Sequence, residues 1–107
     1  MSRLPDLSIE ELKLVSYLLD VSHVEGGPKA RFFIGCGFDP AHPKAFADAL
    51  AEHAIRFWPG RIKATRFGAK HVLEGDLATS ARGAVLVRAV WQIRPDARAW
   101  LVTAYPI

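Results

Sequence analysis

The sequence predicts an α+β fold in which two to three N-terminal helices pack on one face of a four-stranded antiparallel meander. Three observations lead there. Apolar residues recur at helical spacing through residues 1–60 and alternate with period two through 61–107. The connections between the alternating segments are short, which favours antiparallel neighbours. At 107 residues with no linker-like stretch, the chain is expected to form a single domain, helical over 1–60 and sheet over 61–107.

The elements follow in order. Ser8 with Glu11 spells a capping box, with Asp6 as a competing cap. Behind it, Leu12, Val15, Leu18 and Leu19 are expected along one buried stripe of a helix over 9–19. Asp20–Pro28 reads as a loop containing Gly26-Gly27, and Pro28 suits the first turn of a short helix from Lys29 to about Cys36. Ala30, Phe33 and Ile34 are expected to face the core there. Turns at Asp39-Pro40 and His42-Pro43 precede a helix from about Lys44 to Phe57, with Phe46, Ala49, Leu50, His53, Ala54 and Phe57 buried. The four strands are expected over 61–66, 69–78, 84–94 and 99–105.

Composition narrows the classes. Half the residues are hydrophobic, which excludes a disordered chain. A single cysteine, Cys36, excludes an internal disulfide and a cysteine zinc cluster, and a buried apolar role is expected for it. The separations of the four histidines match no zinc motif, so no metal is expected. His53 and His71 fall on core-facing sides. There is neither a Walker loop nor a dinucleotide fingerprint, and no cofactor is expected. No signal-like start or 18-residue apolar run is present, so no membrane span is expected and the cytoplasm is the expected compartment, with export as part of a larger protein still open. Charge is uneven: residues 1–57 hold six Lys/Arg against eight Asp/Glu, and residues 58–107 hold eight against three. A basic sheet beside acidic helices suits a polyanion such as RNA, or an acidic protein.

Strand alternation sorts the sheet residues. His71, Leu73 and Leu77, then Val85, Val87, Ala89, Trp91 and Ile93, then Trp100, Val102 and Ala104 are expected to face the helices. Lys70, Glu74, Arg88, Gln92, Thr103 and Tyr105 would share the opposite face, with Leu86, Val90 and Leu101 among them. A single bulge would flip part of this assignment. Two readings of that face stand side by side. Glu74 and Arg88 form an ordinary cross-strand ion pair, or Glu74 is a general base and Arg88 steadies a phosphate. A second cluster, His23, Gly26, Gly27, Lys29 and Arg31, lies at a helix entry: either backbone N–H groups and two cations hold a phosphate there, or it is an ordinary helix entry with solvated charges and His23 is a loop histidine without a role. Tyr105 is a candidate acid or base-stacking residue, or simply part of a terminal edge strand.

Several segments also carry a resemblance: Tyr17-Leu18-Leu19, His23 through Gly27, Lys29-Ala30-Arg31-Phe32-Phe33, Gly37-Phe38, Phe67 through Val72 with Glu74-Gly75, Val90-Trp91-Gln92-Ile93, and Leu101 through Pro106. In this order they resemble a family of small bacterial domains of unknown function that read YLLN…HPxGxxKAxFF…LGF and end in RLVTAYP. The sequence departs from that pattern at Asp20 and at Val24. The family's layout is similar to the fold of barnase, colicin D and the RelE-type toxins. That resemblance implies catalytic residues on the sheet face away from the helices. By position these are Glu74 as base, Arg88 and Lys70 as phosphate clamps, Thr103 beside them, and Tyr105 or His23 as acid. Lys29 and Arg31 would add phosphate contacts. The last strand lacks the histidine of barnase-like enzymes. The expected activity is a metal-independent ribonuclease-like toxin acting by 2′-hydroxyl transesterification. The alternative is a non-enzymatic module that binds protein or nucleic acid. The expected partners are RNA, an acidic antitoxin protein or a second copy of the chain.

Overall fold

A computed structural model describes residues 4–24 and 27–107. Its elements are β1 (Leu7–Ser8), α1 (Glu11–Lys13) running into a π-helical turn (Leu14–Leu18), α2 (Gly27–Gly35), α3 (Pro43–Phe57), β2 (Arg61–Thr65), β3 (Gly68–Thr79), β4 (Gly83–Ile93) and β5 (Ala99–Pro106). The helices pack against a five-stranded sheet of order β1-β5-β4-β3-β2. β2 through β5 pair antiparallel in sequence order, whereas β1 joins β5 in parallel.

The sheet is therefore mixed and has one strand more than the expected four. Two residues are too few to show an alternation, which is why β1 left no signal. The Ala99 amide donating to the Asp6 carbonyl at 2.9 Å, with the register Leu7↔Ala99 and Ser8↔Trp100, creates it. The same strand dissolves the expected capping box. Glu10 occupies the N-cap with no side-chain cap bond, and Ser8 Oγ accepts from Arg98 Nε instead.

The first helical segment is also wound differently. The Leu19 amide donates to the Leu14 carbonyl at 2.7 Å, five residues back. The wider turn changes which residues lie over one another. Leu14, Leu18 and Leu19 become the buried stripe, Val15 is half-buried, and Leu12 is 72% exposed. In α2, Ala30 and Phe33 are buried as expected, while Ile34 is exposed. In α3, Phe46, Leu50, His53 and Ala54 are buried, with Ala49 and Phe57 half-buried. Gly75 lets α3 approach β3, because a Cβ there would lie 2.2 Å from the Phe57 ring.

β3 and β4 alternate as expected. His71, Leu73, Gly75 and Leu77 are buried, as are Val87, Ala89 and Trp91. The register of β4 and β5 slips between Val90 and Trp91, so Val90 faces Thr103 and Trp91 faces Leu101. Val102 is the extra residue of a β-bulge. Beyond it the expected sides exchange: Ala99 and Leu101 are buried, and Trp100 lies opposite Gln92 on the other face. Cys36 is buried, and that burial raises its thiol pKa.

His53 is a core histidine. Its Nε2 lies 3.1 Å from the Gly75 carbonyl and 3.2 Å from that of Val87, while its buried Nδ1 meets no partner among the described residues. Two carbonyl acceptors fix the proton on Nε2. A second proton would sit on Nδ1 without an acceptor, and burial accordingly lowers the pKa from the usual 6.5. Below 6.5 the unfolded chain binds a proton that the folded one refuses, so stability falls as pH drops from that value toward the folded pKa. Thermal melts between pH 7.5 and 5 should show this slope reduced in His53→Gln, which keeps a donor but does not titrate. Equal slopes in both proteins would assign the acid sensitivity elsewhere.

Candidate functional site

Four elements distant in sequence converge at the outer half of β5. Glu74 on β3, Arg88 on β4 and Tyr105 on β5 lie in one row, because the register pairs Glu74↔Arg88 and Arg88↔Tyr105. Arg88 Nε donates to Glu74 Oε1 at 3.2 Å and Nη1 donates to Tyr105 Oη at 3.2 Å. These bonds, to Tyr105 first and then to Glu74, hold Arg88 more firmly in its charged form. The Arg88 and Glu74 side chains keep 31% and 40% of their surface exposed, so the row is open to a ligand.

The second half of the cluster reaches over the sheet edge. β1 covers β5 only at Ala99 and Trp100, and α2 packs against β5. Lys29 Nζ donates to Tyr17 Oη at 2.6 Å and to Thr103 Oγ1 at 3.1 Å. The same ammonium lies 5.0 Å from the Tyr17 ring centroid and 5.4 Å from that of Tyr105, close enough for cation–π attraction to both. Tyr105 thus contacts both Arg88 and Lys29, joining the two groups. His23 meets the Tyr17 ring nearly edge-on, centroids 4.9 Å apart at 76°. It is positioned by a turn in which Asp20 Oδ1 accepts from the Ser22 amide at 3.0 Å and its hydroxyl at 2.6 Å. Those bonds also lower the Asp20 pKa. The departure at Asp20 is chemically mild, because Asn offers the same oxygen acceptor.

Of the residues singled out from sequence, Glu74, Arg88, Tyr105, Thr103, Lys29 and His23 therefore belong to one continuous cluster. Lys70 does not. It pairs with Gln92, four residues along β3 from Glu74 or roughly 13 Å at strand rise. Arg31 is exposed two residues beyond Lys29, about 200° around α2 at 3.6 residues per turn. Gly26 lies outside the described residues, and Gly27 is buried as the first residue of α2. His71 points to the core side, where Nδ1 lies 2.9 Å from the Pro59 carbonyl and the ring stacks on Trp58. Tyr17 was not expected as a site residue. The only sign of it in the sequence is its place in the Tyr17-Leu18-Leu19 segment, because the helical pattern weighs only its apolar neighbours.

Beside Thr103 the surface opens into a groove of about 560 Å³ lined by Glu10, Leu12, Lys13, Tyr17, His23, Val102 and Thr103. Among the described residues no group of three or more His, Cys, Asp or Glu is arranged to hold a metal ion. No helix among them is long and apolar enough to cross a membrane.

Comparison with solved structures gives the fold independent support. The chain is similar to one in a structure described as a contact-dependent growth inhibition toxin–immunity protein complex from Klebsiella pneumoniae 342. The TM-score is 0.67 at 14% identity, over 92% of this chain and 98% of that one. No curated protein matches the sequence. The model of one family, described as Domain of unknown function (DUF6883), matches residues 3–107, and the chain belongs to that family.

Proposed function

We propose that this protein is a toxin domain that cleaves RNA without a metal, by transesterification at the Glu74–Arg88–Tyr105–Lys29 cluster. The observation that carries the reading is the cluster itself. A carboxylate, a guanidinium, an ammonium and two phenols from distant parts of the chain meet on an open surface. Similarity to a chain of a toxin–immunity complex supports the toxin part of the reading.

The geometry supports one assignment of roles. Arg88 and Lys29 both contact Tyr105 and would clamp the scissile phosphate, with Thr103 beside Lys29. Lys29 takes over the part that sequence gave to Lys70. Glu74 accepts the 2′-hydroxyl proton as that oxygen attacks phosphorus and the bond to the 5′ oxygen breaks. The departing oxygen takes a proton from Tyr105. Because Arg88 donates into the Tyr105 oxygen, the phenol O–H is directed elsewhere. Tyr105 is better placed than His23, which reaches the cluster through Tyr17. The products are a 2′,3′-cyclic phosphate and a 5′-hydroxyl.

Total cellular RNA incubated with the protein in EDTA tests this. Discrete cleavage is expected, lowered about 100-fold or more in Glu74→Gln. Intact RNA with folded protein would leave the second reading, a protein-binding module. The specific support for that reading is the apolar surface around the row, where Leu86 is 50% and Ile107 47% exposed. An acidic immunity or antitoxin protein suits the basic sheet under either reading.

A further inference from the structure

We propose that the row Lys63–Lys70–Gln92–Trp100 is a second binding site for single-stranded RNA, where the lysines hold phosphate and Trp100 stacks on an unpaired base. The inference rests on the nuclease reading for the RNA that reaches it from the Arg88 row, but the row can be tested by itself.

The registers lay this row across the open face. Lys63 of β2 lies opposite Lys70 of β3, Lys70 opposite Gln92 of β4, and Gln92 opposite Trp100 of β5. Directly opposite residues share a face, and Lys70 is an even number of residues from Glu74, so both rows lie on the same side of the sheet. The separation of roughly 13 Å at strand rise is too long for one nucleotide and suits a short strand. Between the rows, Val72 and Val90 form a half-buried apolar floor, with Arg61 opposite Val72 and Thr103 opposite Val90. Arg61, Lys63 and Lys70 have no carboxylate in either of these rungs, and none of them enters an ion pair among the described residues.

Two features of the row cost folding free energy and suit a ligand. The first is the lysine pair. Like charges directly opposite on neighbouring strands repel. An edge lysine such as Lys63 deters pairing with foreign strands. Lys70 lies one strand in from that edge, so this reason does not extend to it. A phosphate bound by both ammonium groups would offset their repulsion. The second feature is Trp100. The bulge at Val102 turns it from the helix side to the open face, where it is half-exposed. Bulges recur beside sites where a side chain is re-aimed. Its Nε1 donates to Asp96 Oδ2 at 3.0 Å, and the Arg94 guanidinium lies 4.3 Å from the ring centroid. The indole is therefore held in place before a ligand arrives, which lowers the cost of ordering it. Asp96, the nearby carboxylate, is engaged by that indole and by the Arg98 amide at 2.9 Å. An aromatic ring beside a guanidinium is a stacking surface for a base. Bases inside a duplex already stack on one another, so the row calls for a single strand.

The test uses Glu74→Gln protein, which keeps the row intact. It is titrated with a single-stranded RNA of about eight nucleotides and with a duplex of the same length, followed by tryptophan fluorescence at several salt concentrations. Trp91 is buried and Trp58 is stacked on His71, so quenching reports on Trp100. The single strand is expected to quench. Trp100→Ala should lose the quench and weaken binding about 5-fold or more. The double variant Lys63→Ala/Lys70→Ala should lower the slope of log K against log salt by about 0.7 per lysine. Its positions are exposed and half-exposed and it removes a repulsion, so it tests the row even where Trp100→Ala fails to fold. An unchanged Kd and salt slope in the lysine variant, equal quenching by the duplex, or no binding by folded protein would overturn the site. Quenching by polyglutamate but not by RNA would also overturn it, and would assign the face to an acidic protein. The result is separable from the nuclease reading. RNA bound at this row without cleavage by the unsubstituted protein keeps the row and removes the enzyme; cleavage with unchanged KM in the lysine variant does the reverse.

Discussion

Replacing Arg88 with alanine is expected to lower kcat/KM for a defined RNA in EDTA about a thousand-fold, while leaving the unfolding transition nearly where it is. The two halves of this prediction come from the same geometry. The pair with Glu74 is 3.2 Å long, but both side chains remain open to water at 31% and 40% exposure. Ion pairs so exposed contribute little to folding, since solvent screens them and both side chains lose entropy. The guanidinium nonetheless orders both proton-transfer groups of the proposed reaction, Glu74 through Nε and Tyr105 through Nη1. Its removal would cost charge stabilisation and alignment together. Arg88→Lys should recover only part of the loss, because an ammonium cannot replace the planar fork. Thermal melts run beside the assay separate the effects. Full activity in a folded Arg88→Ala protein would move the chemistry away from this row.

Trp91→Ala is expected to be the most damaging single change to the fold, at about 3–5 kcal/mol. Trp91 is fully buried in β4, between His71 of β3 and Leu101 of β5. Domains of this size have about 5–15 kcal/mol in total, so the variant should be largely or wholly destabilised at 37 °C. Trp91→Phe should be far milder than its lost volume suggests. The Trp91 Nε1 is buried with no partner among the described residues, and such a donor costs about 1–3 kcal/mol. Phenylalanine replaces the bicyclic indole with a single ring and removes that donor, so the lost volume and the relieved donor partly offset. Denaturant unfolding of the three proteins checks the order. A Phe variant as unstable as the Ala variant would mean that Trp91 Nε1 does find a partner.

How much was legible depended on scale. Periods of 3.6 and 2 marked α3, β3 and β4 to within a residue or two, since each runs 11 residues or more and repeats its pattern several times. They also set Glu74 and Arg88 on the face away from His71 and Trp91, because a two-stranded register needs only alternation. The local signals were less dependable. Ser8 and Glu11 had the spacing of a cap, but Ser8 is used by a strand pairing with residues 99 and 100, far along the chain. Leu12 had the spacing of a buried stripe until the turn ahead of it widened.

By itself the sequence determined the class of fold, the helix-first order, the inward set of the central strands and the chemical types available on the open face. These follow from short-range periodicity and composition, which each segment carries with it. Tertiary structure alone decided that β1 would close the sheet as a parallel strand and that Val102 would bulge. It also decided that Lys29 rather than Lys70 would reach Thr103 and Tyr105, and that Tyr17 would join them. Each of those outcomes depends on contacts between segments separated by tens of residues, such as Lys29 with Thr103. Which distant groups meet is fixed by how the apolar faces pack, a property of the whole folded chain and not of any window within it.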